Sequence, residues 1–325
     1  MSAPKPFGAL TAAILACALS ACGGTPNDVA PTKGPLPTPT PVGIETPGAG
    51  AIYLGAYVPP GPGGISTLEA AIGRKLALDM HYYPWISLFP GLQESADFAN
   101  GRLSVESWDC GIPNAQVAAG AADPLIATRA LALKSFGHPI FLRYMWDMNL
   151  PATALNRQAC YDPATDNPDG SFSATQYVAA WNHMRQIFAQ NNVTNVIWVW
   201  SVSAPGPSAS AYYPGDSQVD WIGSDTYDTG GTDFPTMFSP AYQVVSPFGK
   251  PVLIGETGAS KGTQPPFFAS VVPALTSQFP LVKGFIYHDA PNMGTNWSII
   301  LPTSSGQAAF AALAADPYLS AFGTL

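Results

Sequence analysis

Positive charge is scarce in this chain. Lysine and arginine together number 13 against 21 aspartates and glutamates, a formal net charge of −8 over 325 residues. A nucleic-acid-binding domain needs a basic face, so no nucleic-acid partner is expected. Cysteine is scarce too, with 4 in all. No CxxC occurs, and His81, His138, His183 and His288 lack metal-ligand spacing, which argues against a metal site. No cofactor is called for, and no internal repeat is visible. Beyond the N-terminus no apolar run reads as a spanning helix. What is abundant is apolar and aromatic residues, 47% and 11% of the chain, enough for one large core.

Residues 1–22 read as a targeting segment. Lys5 supplies positive charge, and Phe7 to Leu19 form an apolar stretch too short to span a bilayer permanently. It runs into Leu19-Ser20-Ala21-Cys22-Gly23. That order resembles the bacterial lipobox, in which the signal is cut before the Cys and the Cys carries lipid. An ordinary cleaved signal with a chance Cys is the alternative; the small residues at the cleavage point favour the lipobox. An acylated Cys22 would tether the chain to a membrane without a transmembrane helix. The expected location is the cell envelope, facing the exterior or the periplasm, or secreted. Residues 23–50 are rich in Pro and Thr around Pro35 to Pro41. They cannot form a core and read as a semi-rigid, PPII-rich spacer. Residues 51–325 remain as one domain, expected to be monomeric. An export signal implies an oxidising compartment, so Cys110 and Cys160 are expected to pair, with free buried thiols as the alternative.

Within that domain, apolar runs alternate with helical stretches, the pattern of βα units. Strands are expected at Ala51–Val58, Leu76–Tyr83, Arg102–Trp108, Pro139–Trp146, Asn195–Val202, Val219–Tyr227, Lys250–Glu256 and Val282–His288. Ser66-Thr67-Leu68-Glu69 reads as a capping box, and Asp123 with Pro124 as N-cap and first helical residue. Ser173 to Gln190 carries Tyr177, Ala180, Trp181, Met184, Ile187 and Phe188 on one helical face. Eight strands in about 275 residues suit an α/β (β/α)8 TIM barrel; a doubly wound sheet could give a similar string.

In such a barrel the C-terminal strand ends carry function. Here they collect Tyr57, Tyr83, Trp85, Trp108, Trp146, Asp147, Trp200, Asp225, Tyr227, Glu256, Tyr287 and His288. Aromatic faces stack on sugar rings, and carboxylates work on glycosidic bonds.

Two segments carry a resemblance. Phe141-Leu-Arg-Tyr-Met-Trp-Asp-Met-Asn149 ends the fourth strand, and Lys250-Pro-Val-Leu-Ile-Gly-Glu-Thr-Gly258 ends the seventh. With Leu54 to Gly61, Tyr177 to Trp181, Tyr212 to Asp216 and Val219 to Tyr227, they resemble glycoside hydrolase family 26, the β-mannanases and some β-glucanases. The likeness runs from Ala51 to about Trp297. It implies a retaining polysaccharide hydrolase, with Glu256 as nucleophile held by Tyr227 and Asp147 as acid/base. Retention needs two carboxyls about 5–5.5 Å apart. The resemblance also implies that Asn149 binds a substrate hydroxyl, a capping or loop Asn being the alternative. Arg143, Trp108, Trp200, Tyr287, Tyr57 and Asp225 complete the candidate substrate-binding set, Asp225 as a sugar contact or a residue behind it.

Asp147 departs from the family, which has Glu before Met-Asn. The carboxylate is shorter by about one bond, near 1.5 Å, and misplacement on that scale can cost about a hundredfold in rate. Trp146 replaces a common His and either stacks on sugar or fills the mouth. Strand alternation places Arg143, Met145 and Asp147 on one face, and Ser104, Glu106 and Trp108 together on the neighbouring strand. It therefore offers Arg143 and Glu106 as a buried pair beneath the acid. Two functions follow: endo-hydrolysis of a β-linked polysaccharide, β-1,4-mannan foremost, or a carbohydrate-binding lipoprotein that keeps the cleft and has lost most turnover.

The lipobox makes a separate prediction. The intact chain should take up labelled fatty acid and partition into detergent, while Cys22→Ser should remain in the aqueous phase; identical partitioning of both refutes the anchor.

Overall fold

The computed structural model describes residues 46–47, 50–61, 63–292, 295–299 and 305–319. Cys22, the segment 1–22 and nearly all of 23–50 lie outside the described residues. Eight parallel strands close into a barrel in sequence order. They are β1 (Tyr53–Tyr57), β2 (Leu78–Tyr83), β3 (Leu103–Trp108), β4 (Ile140–Tyr144), β5 (Val196–Ser203), β6 (Trp221–Asp225), β7 (Val252–Thr257) and β8 (Val282–His288). β8 returns to pair with β1 over Tyr53↔Gly284 to Tyr57↔His288. The expected strands are all present, with their ends within two residues of the expected positions.

The intervening helices are α1 (Gly64–Ile72), α2 (Leu92–Ala99), α3 (Asn114–Ala118), α4 (Asp123–Phe136), α5 (Ala174–Gln190), α6 (Phe234–Val245), α7 (Gln264–Ser277) and α8 (Ser305–Ala314). A small hairpin, β9 (Pro291–Asn292) and β10 (Thr295–Asn296), follows β8. α5 starts as the sequence implies, with the Ser173 hydroxyl accepting from Gln176 N at 3.4 Å. Its six expected apolar residues are all buried. Two starts differ. Asp123 is the first residue of α4 rather than its cap, which is Ala122. The capping box at Ser66 does not form: α1 begins at Gly64 after a left-handed Gly63. Glu69 is instead drawn to Arg102 Nη1 at 3.0 Å and Lys75 Nζ at 2.8 Å. Two cations outcompete one backbone N–H for that carboxylate.

Each strand is buried on both faces, so two apolar layers form. The lumen is filled by Tyr53, Leu78, Met80, Leu103, Val105, Phe141, Ile197, Val199, Trp221, Leu253 and Ile286. The opposite strand faces pack under the helices with Leu54, Trp108, Leu142, Tyr144, Trp198, Trp200 and Tyr287. This division decides which strand-end side chains reach the mouth.

Cys110, just after β3, and Cys160, in the β4–α5 connection, form the expected disulfide, with Cα atoms 6.1 Å apart. Beside it Arg157 Nε bonds Asp109 at 2.6 Å, so bond and ion pair staple the same two loops. Closing a loop of 50 residues restricts the unfolded chain. Replacing both cysteines by Ser should lower unfolding free energy by about 2–4 kcal/mol. Chemical denaturation of variant and wild type measures this; equal midpoints refute it.

Candidate active site

The top of the barrel opens into a cleft of about 920 Å³ lined by Tyr57, Tyr82, Trp146, Asp147, Asp225, Tyr227, Glu256, His288 and Trp297 among others. Beneath the cleft lies Arg143 on β4, fully buried and pointing into the lumen above Phe141. Nη2 of Arg143 bonds Asp225 Oδ2 in a short contact and Glu256 Oε1 at 3.1 Å. The partner proposed from strand alternation, Glu106, is not there. Glu106 lies on β3 with Ser104 and Trp108, on the helix side of the wall, whereas Arg143 faces the lumen, because the two strands present these positions with opposite parity. Full burial also makes Arg143 a support for the carboxylates and not a sugar contact.

Backbone irregularities aim both carboxyls. On β7 the pairing passes from Ser224↔Ile254 to Asp225↔Glu256, skipping Gly255. Such a bulge re-aims the side chain that follows it. Leu253 faces the lumen, so strict alternation would send Glu256 outward; the bulge returns it to the mouth. Gly255 permits this because a Cβ there would stand 2.7 Å from Asp225 Oδ1 and 3.1 Å from Arg143 Nη1. On the other side β4 stops at Tyr144, and Met145 and Asp147 adopt left-handed φ of 45° and 56°. Asp tolerates that region better than most residues. Met145 consequently turns into the outer core beside Asn114 and does not share a face with Arg143 and Asp147. Asp147 N donates to Ser201 O at 3.0 Å, tying the turn to β5.

The environments divide the carboxyls by charge. Burial raises the pKa of Glu256, but Arg143, His288 and the 2.7 Å hydrogen bond from Tyr227 prevail and hold it below the usual glutamate value. Burial, reinforced by the Glu256 charge, pushes Asp147 up to about 7, against Arg143 and Arg157. Asp225 is also pushed up, by burial first, although Arg143 opposes it. Three carboxyls share one guanidinium, so the Asp147–Asp225 pair retains a proton near neutrality. An ionised and a protonated carboxyl flanking one cleft are the two partners of acid-assisted nucleophilic displacement.

Of the candidate contacts, Trp146, Tyr57, Tyr227 and Asp225 line the cleft with Asp147 and Glu256. Trp146 is held between Arg157, 4.4 Å from its ring, and Tyr82 at 5.2 Å. Besides Arg143, four others do not line it. Trp108 stacks on Trp85 at 4.6 Å and donates Nε1 to Trp85 O. Trp200 donates Nε1 to Tyr212 O at 3.0 Å. Tyr287 donates its hydroxyl to Trp297 O at 2.7 Å. All three are fully buried in the outer layer. Asn149 donates to Ser203 O and Pro207 O and accepts from Ser203 N, so it ties the β4 and β5 loops instead of presenting an amide to substrate.

In their place the cleft uses Tyr82, His288 and Trp297. Tyr82 and His288 are chain neighbours of Tyr83 and Tyr287, one residue away in parity. Among the described residues, His288 Nδ1 and Trp297 Nε1 are buried without hydrogen-bond partners, two polar atoms available to a ligand, while the Tyr82 hydroxyl is directed at Glu256. Trp297 stacks on Tyr227 at 5.2 Å. Tyr82 shares the lumen parity of Met80, which only the pairing of the strands reveals; Trp297 lies beyond the last strand.

The sequence model of glycosyl hydrolase family 26 matches residues 172–296. The chain is 27% identical over 268 residues to endoglucanase H of Acetivibrio thermocellus, covering 76% of this chain and 29% of that protein. It is 26% identical over 115 residues to mannan endo-1,4-beta-mannosidase A and B of Caldalkalibacillus mannanilyticus, covering 35% of this chain and 22% of that one. It thus spans under a third of the length of these relatives. Among solved structures, a GH26 β-mannanase from Bacteroides ovatus shares the fold with a TM-score of 0.62 at 16% identity, over 85% of this chain and 91% of that one.

The raised Asp147 has a consequence for stability. Its folded pKa of about 7 exceeds the ordinary 3.8, so the native state holds this proton more tightly than the unfolded chain does. The stability it contributes is complete below about 4 and is lost as pH rises through 7. Asp147→Asn removes that loss. Relative to wild type, its denaturation midpoint should rise between pH 5 and pH 8; a pH-independent difference contradicts the assignment.

Proposed function

We propose that this chain, a member of glycosyl hydrolase family 26, is a retaining endo-hydrolase of a β-linked polysaccharide, with β-1,4-mannan as substrate. The observation that carries this reading is the geometry at the ends of β4 and β7: two buried carboxyls line one cleft, with Glu256 bonded by Arg143 and Tyr227 and Asp147 outside those bonds. The mannanase and endoglucanase names of the relatives support the substrate class. The Cys22 lipobox supports action from the cell envelope.

Glu256 attacks the anomeric carbon as the Asp147 proton passes to the departing glycosidic oxygen, leaving a glycosyl ester on Glu256. Asp147, now a carboxylate, takes a proton from water, whose oxygen attacks the same carbon and frees Glu256. Arg143 holds Glu256 at its inner oxygen and Tyr227 at its outer one, which orients the nucleophile. Tyr57 and Trp146 offer the ring faces on which sugars stack, and the shorter Asp147 is delivered by its left-handed turn.

The test is kinetic. Glu256→Ala should abolish hydrolysis of every substrate. Asp147→Ala should lose about 10²–10⁴-fold on mannan, the usual worth of general acid catalysis, and far less on an aryl glycoside whose leaving group needs no proton. The basic limb near pH 7 should vanish with it, and the first product seen by NMR should keep the β configuration. Absence of reducing-end release from mannan and β-glucan by wild type, with binding intact, refutes the enzyme.

A further inference from the structure

A second buried polar cluster lies on the other side of the barrel wall. Beneath α2, against the outer faces of β2 and β3, His81, Glu94 and Glu106 each bring one ligand atom within 4.8 Å of the others. All three are buried, Glu106 completely. Among the described residues no N–H or other hydroxyl donates to either carboxylate oxygen of Glu106, which meets the Glu94 carboxyl instead. Glu94 accepts from the Tyr83 hydroxyl and from Gly91 N, which fix its orientation. Arg129, whose charge reaches Glu106, spends its terminal nitrogens on the carbonyls of Phe89 and Ser87.

His81 is set up as a ligand. Its Nε2 meets Asp97 Oδ2 at 2.7 Å, with Asp79 at 3.9 Å. Asp97 is itself held by Arg102 Nε at 2.9 Å and Ser104 Oγ at 3.1 Å. A carboxylate on the far ring nitrogen is what fixes the tautomer and raises the basicity of a metal-bound imidazole. That leaves Nδ1 to ligate. Nδ1 now faces the Gln93 amide nitrogen at 2.8 Å; rotation of that amide would present its oxygen as a fourth donor.

Two carboxylates facing one another in a dry site need a cation or a proton between them. We propose that His81, Glu94 and Glu106 bind a divalent first-row cation, zinc by the chemistry of one imidazole and two carboxylates. The ion would clamp α2 to β2 and β3, and so brace the strand that carries Tyr82 into the cleft. No metal motif announces it, because the ligands sit at 81, 94 and 106 on three elements.

The test uses the full chain, stripped with chelator and titrated with zinc chloride. Calorimetry should give one equivalent per chain, and the melting temperature should rise with zinc concentration. Glu106→Gln and His81→Asn should each weaken binding at least tenfold, and zinc-edge X-ray absorption should show a mixed nitrogen and oxygen shell. No zinc uptake by wild type overturns the site in favour of a proton shared by Glu94 and Glu106. Undiminished uptake by Glu106→Gln also overturns it, placing the ion in the cleft or at an adventitious surface. Should neither variant fold, absorption on wild type decides: an imidazole-containing shell supports the site, and a shell of oxygens alone refutes it.

Discussion

The guanidinium of Arg143 is the contact on which the mouth of this barrel depends. It sits in the lumen without solvent, where a lone positive charge would be costly, and it is offset by Asp225 and Glu256. The dependence is mutual. Without Arg143, three carboxyls would converge in an apolar mouth with burial raising each of them and no buried cation to oppose it. With it, one carboxyl stays ionised and the others compete for a proton. The same cation therefore closes the top of the core and sets apart the charge of the carboxyls above it.

The approach to Arg143 is made by breaking the strands. β7 skips Gly255 and β4 ends two residues early in a left-handed turn. Both devices release a side chain from the parity that the sheet would impose. The Asp at 147 suits its turn, because a short polar side chain tolerates a left-handed φ.

Around that centre the wall is rigid. The disulfide and the Asp109–Arg157 pair fasten the loops after β3 and β4, and Arg157 sits over the Trp146 ring. Asn149 ties the loop after β4 to the end of β5 and the loop beyond it. Residues chosen for sugar binding by their position at strand ends prove in several cases to be the frame: Trp108, Trp200 and Tyr287 hold backbone carbonyls under the helices. Glu106 belongs to a different site from Arg143 for the same geometric reason.

How much was legible follows from the physics of a sheet buried on both faces. Sequence alone set the eight strands, the order of elements, the helix at 174–190, the Cys110–Cys160 pair, and Asp147, Asp225, Tyr227 and Glu256 at strand ends. Apolar runs, helical periodicity and short motifs are local, and local signals survive without a fold. Parity is not local. In a strand with apolar neighbours on both sides, Tyr82 and Tyr83, or Tyr287 and His288, are equally good candidates for the lumen, and only the register of pairing chooses. The bulge at Gly255, the turn at Asp147, the pairing of Arg143 with Asp225 and Glu256, and the meeting of His81, Glu94 and Glu106 across three elements were decided by the closed barrel, because each depends on which atoms distant segments bring together.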